Sequence, residues 1–548
     1  MDNQEVLRRA HNCESNRYVI EDVWDQIEQY FAPYRGRFFK DEPNENSIEW
    51  RRPFVYDGTG IMASQNLASS LHSSLTSASS QFFAFRFRTD ELNDDIDAKE
   101  WLEECGKRVY AALQDSNFNI EINETYQDLV NFGTSIITEE SEMVNGREEL
   151  VFKSVPIKEC FFEQDHRGGV LNFYRKLEWT GLQIASKFGE QIPEWLNDAI
   201  ADEEYDDDKK YVVWFCIFKR KGIEHYDTDG SFLDGKKRPY GYKYVMEVAP
   251  EDTLGEESGY YEMPAFIPRW RKTSSSMWGN SPAMIALGDN LTLQRLIELS
   301  MAAIEKSIDP PMLTTQRGLI GDLDLNAGGL TVVRDMKELA PIQNQARFDV
   351  RNSEIERLQN NIKDYFFINQ IMLPPMQPSP ATATEISARI QQLERIFGAT
   401  LARLQTDLLS PALSRSFRIL LRAGSMPEMP EVVAEKRGEI EIEYVGSLAK
   451  TQEASNVMAV QSWVGFVGNT AQLNPQVMDV PDWDAVVTGL ASMLGVPARM
   501  QNTSAEIQKT RQAKAEQQAQ MQQAQMMEQA GKGAEALGKG QQAMKEAQ

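Results

Sequence analysis

Apolar and polar positions follow three different rhythms along this chain. Helical spacing runs through Val19–Phe31, Gly60–Leu75 and Ala98–Leu113. Between Val151 and Val248 the pattern changes to short apolar runs, at Leu150–Phe152, Tyr211–Phe218 and Tyr242–Val248. Gly- and Asp-rich turns separate these runs, which predicts strands. From Ser281 onward helices dominate. Ser281-Pro282 supplies an N-cap and a proline at the first helical position, and Asp309-Pro310-Pro311 ends the pattern after Ile308. At ~1.5 Å per residue this helix is about 40 Å long. Its apolar positions (Leu287, Leu291, Leu293, Leu296, Ile297 and Ile304) spread over more than one stripe, so it needs neighbours on two sides.

Strand-like Pro311–Thr315 and Leu330–Val333 flank turns at Gly318, Gly321 and Gly328-Gly329. A second long helix is predicted over Phe348–Ile371, with Ile355, Leu358, Ile362, Tyr365 and Phe366 at helical spacing. The uncharged segment Met372-Leu373-Pro374-Pro375-Met376-Gln377-Pro378-Ser379-Pro380 follows. Its four prolines forbid a continuous helix and favour a stiff, extended loop. Thr382-Ala383-Thr384-Glu385 then reads as a capping box. It opens a third long helix through Ile386, Ile390, Leu393, Phe397, Leu401, Leu404 and Leu408. Ser410-Pro411 resets that helix, Arg415, Arg418 and Arg422 suit its last turns, and Gly424 ends it. A strand over Glu439–Val445 and further helices to about Val496 complete an α+β fold. Gln501–Gln548 holds 13 Gln, 10 Ala and no aromatic residue. Its apolar stripe is too weak for an isolated helix, so the tail is expected to be either a helix stabilised by neighbouring copies or disordered beyond Gly531.

The 548 residues leave room for several domains, and 41% apolar with 25% charged residues is enough for a real core. That composition excludes a mostly disordered, collagen-like or purely coiled-coil chain. Lys plus Arg is 57 against 82 Asp plus Glu, a net charge of −25. Residues 1–300 carry 33 basic and 54 acidic residues, and the rest carry 24 and 28, so most of the acidity lies in the first half. The longest apolar run, Ala485–Val496, is far short of the ~20 residues that span a bilayer. Met1–Arg9 is polar and charged, unlike a secretory signal. A soluble protein made inside the cell, with no membrane partner, is expected.

Candidate chemistry is sparse. Cys13, Cys105, Cys160 and Cys216 form no CxxC pair, and His11, His72, His166 and His225 form no ligand cluster. Gly106-Lys107, Gly235-Lys236 and Gly538-Lys539 lack the hydroxyl residue of a phosphate loop. Gly58-Thr59-Gly60-Ile61-Met62-Ala63 imitates a dinucleotide fingerprint. However, Ser77–Phe85 lacks the acidic residue expected roughly 20 positions on, so a turn and a helix start are the better reading. Asp206-Asp207-Asp208 and Asp322-Leu323-Asp324 read as solvated loops rather than cation sites. No catalytic, cofactor or metal residue is predicted, and no enzymatic activity.

The order of these elements resembles the portal (head-to-tail connector) proteins of short-tailed bacteriophages. The most specific pieces are Trp278-Gly279-Asn280-Ser281-Pro282-Ala283, Asp309-Pro310-Pro311 and Thr382–Ile386. The resemblance implies a homo-oligomeric ring, usually a dodecamer, at one capsid vertex of the virion, with double-stranded DNA passing through it. It implies as partners the major capsid protein, a scaffolding protein, the terminase packaging motor and tail adaptor or nozzle proteins. In family terms residues 1–280 would be a mixed α/β wing, 281–308 a stem helix, 309–347 a clip and 348–371 the second stem helix. Residues 372–384 would be a channel loop facing DNA through Met372–Pro380, and 385–424 a long helix joining wing and crown. Residues 425–500 would be the wing remainder and crown base, and 501–548 a crown tail. Arg317, Arg334 and Lys337 are then candidate partner contacts in the clip. Leu296, Ile297 and Ile304 are candidate subunit-interface residues. An internal scaffold protein, suggested by the Gln/Ala tail, and a packaging enzyme are the alternatives. The first should be mostly helical and the second needs a phosphate loop or an acidic constellation.

Overall fold

The first helix begins well before the apolar spacing predicts: α1 spans Asn3–Phe31. Its first turns bury Val6, Leu7, Ala10 and Cys13 against Phe161, Tyr174, Trp214, Cys216 and Val245. Arg9 and Glu14 beside them are paired rather than solvated. Arg9 meets Glu5 at 2.8 Å and Glu163 at 3.3 Å, and Glu14 meets Lys176 at 2.8 Å. Buried Arg17 donates to the carbonyls of Ile157, Lys158 and Cys160 and lies over the Phe161 ring.

The computed structural model describes residues 2–33, 55–93, 95–144, 146–202, 206–220, 234–273, 276–308, 310, 312–314, 339–341, 348–371, 397–436, 439–444, 447–471, 475–481, 483–494, 507, 509–514 and 516–517. They belong to two units. One comprises Met1–Phe83, Lys107–Met426 and Tyr444–Leu448, and the other Ala84–Gly106, Pro427–Glu443 and Ala449–Gln548.

After α1 come α2 (Thr59–Leu75), β1 (Phe83–Phe87), α3 (Ile96–Asp115) and α4 (Phe118–Phe132). A hairpin follows, β2 (Ile136–Val144) with β3 (Arg147–Val155), and β2 also pairs with Ala265–Phe266. Next are β4 (Cys160–Gln164), β5 (Val170–Thr180), β6 (Lys210–Lys219), β7 (Tyr240–Met246) and β8 (Thr253–Tyr260). They form an antiparallel sheet in sequence order. β6 is apolar almost throughout because both its faces are covered. Trp214 and Cys216 pack on α1, while Phe215 meets Tyr244 at 4.6 Å on the other face, where Trp179 and Phe188 also gather. The strands expected from the Val151–Val248 pattern are therefore present, with more partners than the pattern alone suggests.

The helical part follows the sequence punctuation closely. α5 covers Pro282–Ile308 and α6 covers Phe348–Tyr365. The helix predicted to continue to Ile371 breaks instead at Phe367, which has φ 58°, before a short turn of helix at Ile368–Ile371. Phenylalanine rarely adopts this left-handed geometry, and Phe367 is held there by edge-on packing on Phe397 at 4.6 Å. Met312–Thr314 pairs antiparallel with Leu339–Pro341. The expected strand Leu330–Val333, the capping box at Thr382 and the tail beyond Gln517 lie outside the described residues. α7 (Ser410–Arg422) follows a π-helical turn at Gln405–Leu409, and Gly424, with φ 69°, ends it as expected.

In the second unit β1 pairs with Ile440–Tyr444, close to the strand expected over Glu439–Val445. Phe87 stacks on Trp101, whose indole N–H donates to the Pro427 carbonyl at 3.1 Å. Helices Ser447–Ala471 and Trp483–Met493 expose Met458, Trp463, Phe466 and Val487.

Candidate functional site

The long helices α5 and α6 are fastened to the body by three devices, and the segment Trp278–Ser281 supplies two of them. Trp278 is buried edge-on to Trp24 at 5.1 Å and to Phe162 at 4.9 Å. Ser281 Oγ accepts from the Met284 amide at 2.9 Å, which is the predicted N-cap, and donates to the Asn131 carbonyl at 2.6 Å. Between them Gly279 crosses the backbone of Gly133, the φ 75° glycine that ends α4, so closely that a Cβ on either residue would collide with the other's carbonyl oxygen.

The third device is Gln294, buried on α5 with every hydrogen-bonding group of its amide used. Oε1 accepts from the backbone N–H groups of Tyr56 at 2.7 Å and Asp57 at 2.9 Å. Nε2 donates to the Asp57 carbonyl at 2.8 Å and to Asn290 Oδ1 at 3.2 Å. Asp57 in turn caps the start of α2 through the Thr59 N–H and accepts from Gln359 of α6 at 2.8 Å. Asp289 completes the helix pair, taking bonds from Asn361 at 3.1 Å and the Tyr365 hydroxyl at 3.2 Å. Its charge raises the Tyr365 pKa. The glycine motif at Gly58–Ala63 is structural here, since a Cβ on Gly60 would press on Phe31 at 2.9 Å and Asn290 at 3.2 Å. Replacing Gln294 by leucine leaves the partly buried backbone N–H groups of Tyr56 and Asp57 without their acceptor. It should cost about 3 kcal/mol at ~1–3 kcal/mol for each unsatisfied group. An unchanged melting temperature for Gln294→Leu would contradict this role.

Two apolar stripes run along α5. One carries Ala283, Ala286, Asn290, Leu293, Ile297 and Ser300 toward the body. It continues into Ile304 and Ile308, which are 42% and 79% exposed. The second stripe, about a third of a turn away at ~3.6 residues per turn, carries Ile285, Leu296 and Leu299, of which Ile285 and Leu299 are more than half exposed. Of the interface candidates, Leu296 and Ile297 are half-buried within the single chain and Ile304 is exposed. Ile285, Leu299 and Ile308 share these stripes and are also exposed in the single chain. The channel-loop candidates Met372–Pro380 and the clip candidates Arg317, Arg334 and Lys337 lie outside the described residues.

A second polar centre holds α7, and sequence reasoning missed it. Glu139 of β2 is buried and accepts from Ser416 Oγ at 2.6 Å. Arg415 donates to the Glu139 carbonyl at 3.3 Å and the Glu262 carbonyl at 2.8 Å, and Arg422 forks onto the Glu262 carboxylate at 2.8 and 2.9 Å. Burial pushes the Glu139 carboxyl up to about 8, partly offset by Arg415 and by the Ser416 bond. A carboxyl raised in the folded state leaves stability intact below its unfolded pKa. Stability is then lost as pH rises from about 4.5 toward about 8. Glu139→Gln should remove that component. The variant gains on the wild type by on the order of a few kcal/mol between pH 5 and pH 9. Parallel stability-versus-pH curves for the two proteins would refute the assignment.

Among the described residues no group of His, Cys, Asp and Glu is arranged to hold a metal, and no helix is long and apolar enough to cross a membrane. All four cysteines are buried, and burial raises Cys13 to about 11 and Cys160 to about 12, leaving them protonated.

The family model described as bacteriophage head to tail connecting protein matches residues 3–501. The chain belongs to that connector family. It is 26% identical over 552 residues to a probable portal protein of Bordetella phage BPP-1, spanning 97% of this chain and 95% of that one. It is 25% identical over 547 residues to the portal protein of Salmonella phage epsilon15, with the same coverage. A solved structure titled as the virion of a native gene transfer agent particle aligns with 75% of this chain and 86% of its own. Its 10% identity and TM-score of 0.33 are too low to carry an argument about this connector.

Proposed function

We propose that this chain is the portal of a bacteriophage virion, a ring of identical subunits at one capsid vertex through which double-stranded DNA enters and leaves. The observation that carries this reading is the connector-family match over residues 3–501, with portal relatives aligned along 97% of the chain. The exposed continuation of the α5 stripes supports the ring, because a closed ring covers two faces of every subunit. In this reading α5 and α6 are the stem. The paired strands Met312–Thr314 and Leu339–Pro341 form the base of a clip whose Arg317, Arg334 and Lys337 meet a separate packaging motor and later the tail. Met372–Pro380 is the channel loop, an uncharged constriction acting on DNA by steric contact. Capsid and scaffolding proteins contact the wing. The net charge of −25 per subunit suits a conduit, since each phosphate neutralised by Lys or Arg would add a salt-dependent hold. The ring would hydrolyse no ATP itself. Negative-stain images of the purified protein test the reading. Rings with a central hole, twelve-fold if the common portal number applies, are expected, and compact monomers would overturn it.

A further inference from the structure

A cleft of about 740 Å³ opens at α7, lined by residues at the ends of β5, β6 and β7, the segment Tyr261–Arg269, the π-turn and α7. Its charge is unlike that of the chain as a whole. Arg415, Arg418 and Arg422 all converge on the single carboxylate of Glu262, at 3.5, 3.7 and 2.8 Å. Buried Glu139 lies within the cluster, 3.9 Å from the Arg415 Nε, and burial raises its carboxyl to about 8. On the opposite wall buried Arg269 reaches Asp407 at 3.4 Å and the Gly168 carbonyl at 3.3 Å, while its Nε has no hydrogen-bond partner. Lys219 adds a further positive group to the lining. Counting the lining residues alone, four basic side chains face two acidic ones. Just outside the lining, Lys272 is disfavoured as a cation by burial and by the like charges of Arg269 and Arg403.

The backbone is shaped to keep this arrangement. The π-turn Gln405–Leu409 carries Asp407, and the Gln405 carbonyl takes both the Ser410 N–H and, at 3.2 Å, the Tyr444 hydroxyl. Such turns interrupt helices mainly where a side chain must be re-aimed at a functional site. The volume falls within the ~300–1,000 Å³ of small-molecule sites, and Tyr240 and Phe266 supply flat apolar wall beside the guanidinium groups.

We propose that this cleft binds a phosphate-bearing ligand of nucleotide size, with Arg418 and Lys219 as the accessible anion contacts and Arg269 and Arg415 as the fixed positive floor. Planar guanidinium groups fork onto phosphate oxygens, and the three of them here outnumber the two carboxyl groups, Glu139 and Glu262, that they meet. The inference does not depend on the portal reading. The phosphate has two possible sources, free in solution or the phosphodiester of a nucleic-acid strand.

Isothermal titration of the full-length protein separates these sources, with ionic strength held constant by chloride. One arm uses inorganic phosphate and the other a ten-residue oligothymidylate. Saturable binding of either probe is expected, weakened about tenfold or more by Arg418→Ala and by Lys219→Ala, each an exposed side chain whose removal leaves the fold intact. Binding of the oligonucleotide far beyond that of phosphate, lost in the same variants, identifies the strand as the source. Comparable binding per phosphate identifies the free ion. Absence of binding in both arms, or binding that both variants leave unchanged, overturns the proposal.

Discussion

Leu299→Asp combined with Ile304→Asp should abolish ring assembly completely while leaving the isolated subunit folded. Both side chains are largely exposed in the single chain, at 52% and 42%, so charging them removes little from the subunit's own core. In a ring each would be covered by a neighbour. Burying an unpaired carboxylate costs several kcal/mol, repeated at every interface of the closed assembly. Sedimentation is the measurement. A variant that sediments as a full ring would show that these stripes do not form the subunit contact. A variant that loses its circular dichroism spectrum would show that they belong to the core.

The second large effect is expected at the glycine crossing. Gly279→Ala places a methyl group against the Gly133 carbonyl oxygen, and that carbonyl already accepts the Trp270 N–H at 2.8 Å. Neither backbone can retreat easily. Gly133 closes α4, while Gly279 sits between buried Trp278 and the Ser281 cap of α5. Overpacking of this kind typically costs ~1–3 kcal/mol where side chains can adjust, and here two backbones would have to move. Gly133→Ala adds the strain of a positive φ. Both variants should show a marked fall in melting temperature or soluble yield. A melting temperature equal to wild type for Gly279→Ala would disprove the crossing.

These effects bear on what could be read from residues alone. α5 was legible to within a residue because its cap, first-turn proline and stop signal are all local chemistry. The first half of α1 was not, because Arg9, Glu14 and Arg17 look like solvent-facing residues until their partners on the distant strands β4 and β5 and the turn before β4 are known. α4 was not singled out, although Phe118, Ile122, Tyr126 and Leu129 lie at helical spacing and Gly133 ends it. The break at Phe367 had no such signal, since nothing local asks a phenylalanine to adopt φ 58°. Glu139 was hidden most completely. It stands in the run Glu139-Glu140-Ser141-Glu142, which reads as a wet strand. Only its register opposite Phe152, and the arrival of Ser416 from far along the chain, turn it inward. Of the interface residues singled out from the sequence, Ile304 is exposed in the single chain, whereas Leu296 and Ile297 are half-buried within it.

The pairing of Met312–Thr314 with Leu339–Pro341 has a consequence for how such a chain can be modified. The two strands pass side by side, so the polypeptide leaves the α5 side and returns toward α6 through a single narrow neck. Closing a loop of twice the length costs only about 0.6 kcal/mol more. Lengthening the chain between the two strands therefore adds little to the cost of closing the neck. An insertion between the strands should leave the pairing of α5 with α6 in place as long as the neck stays closed.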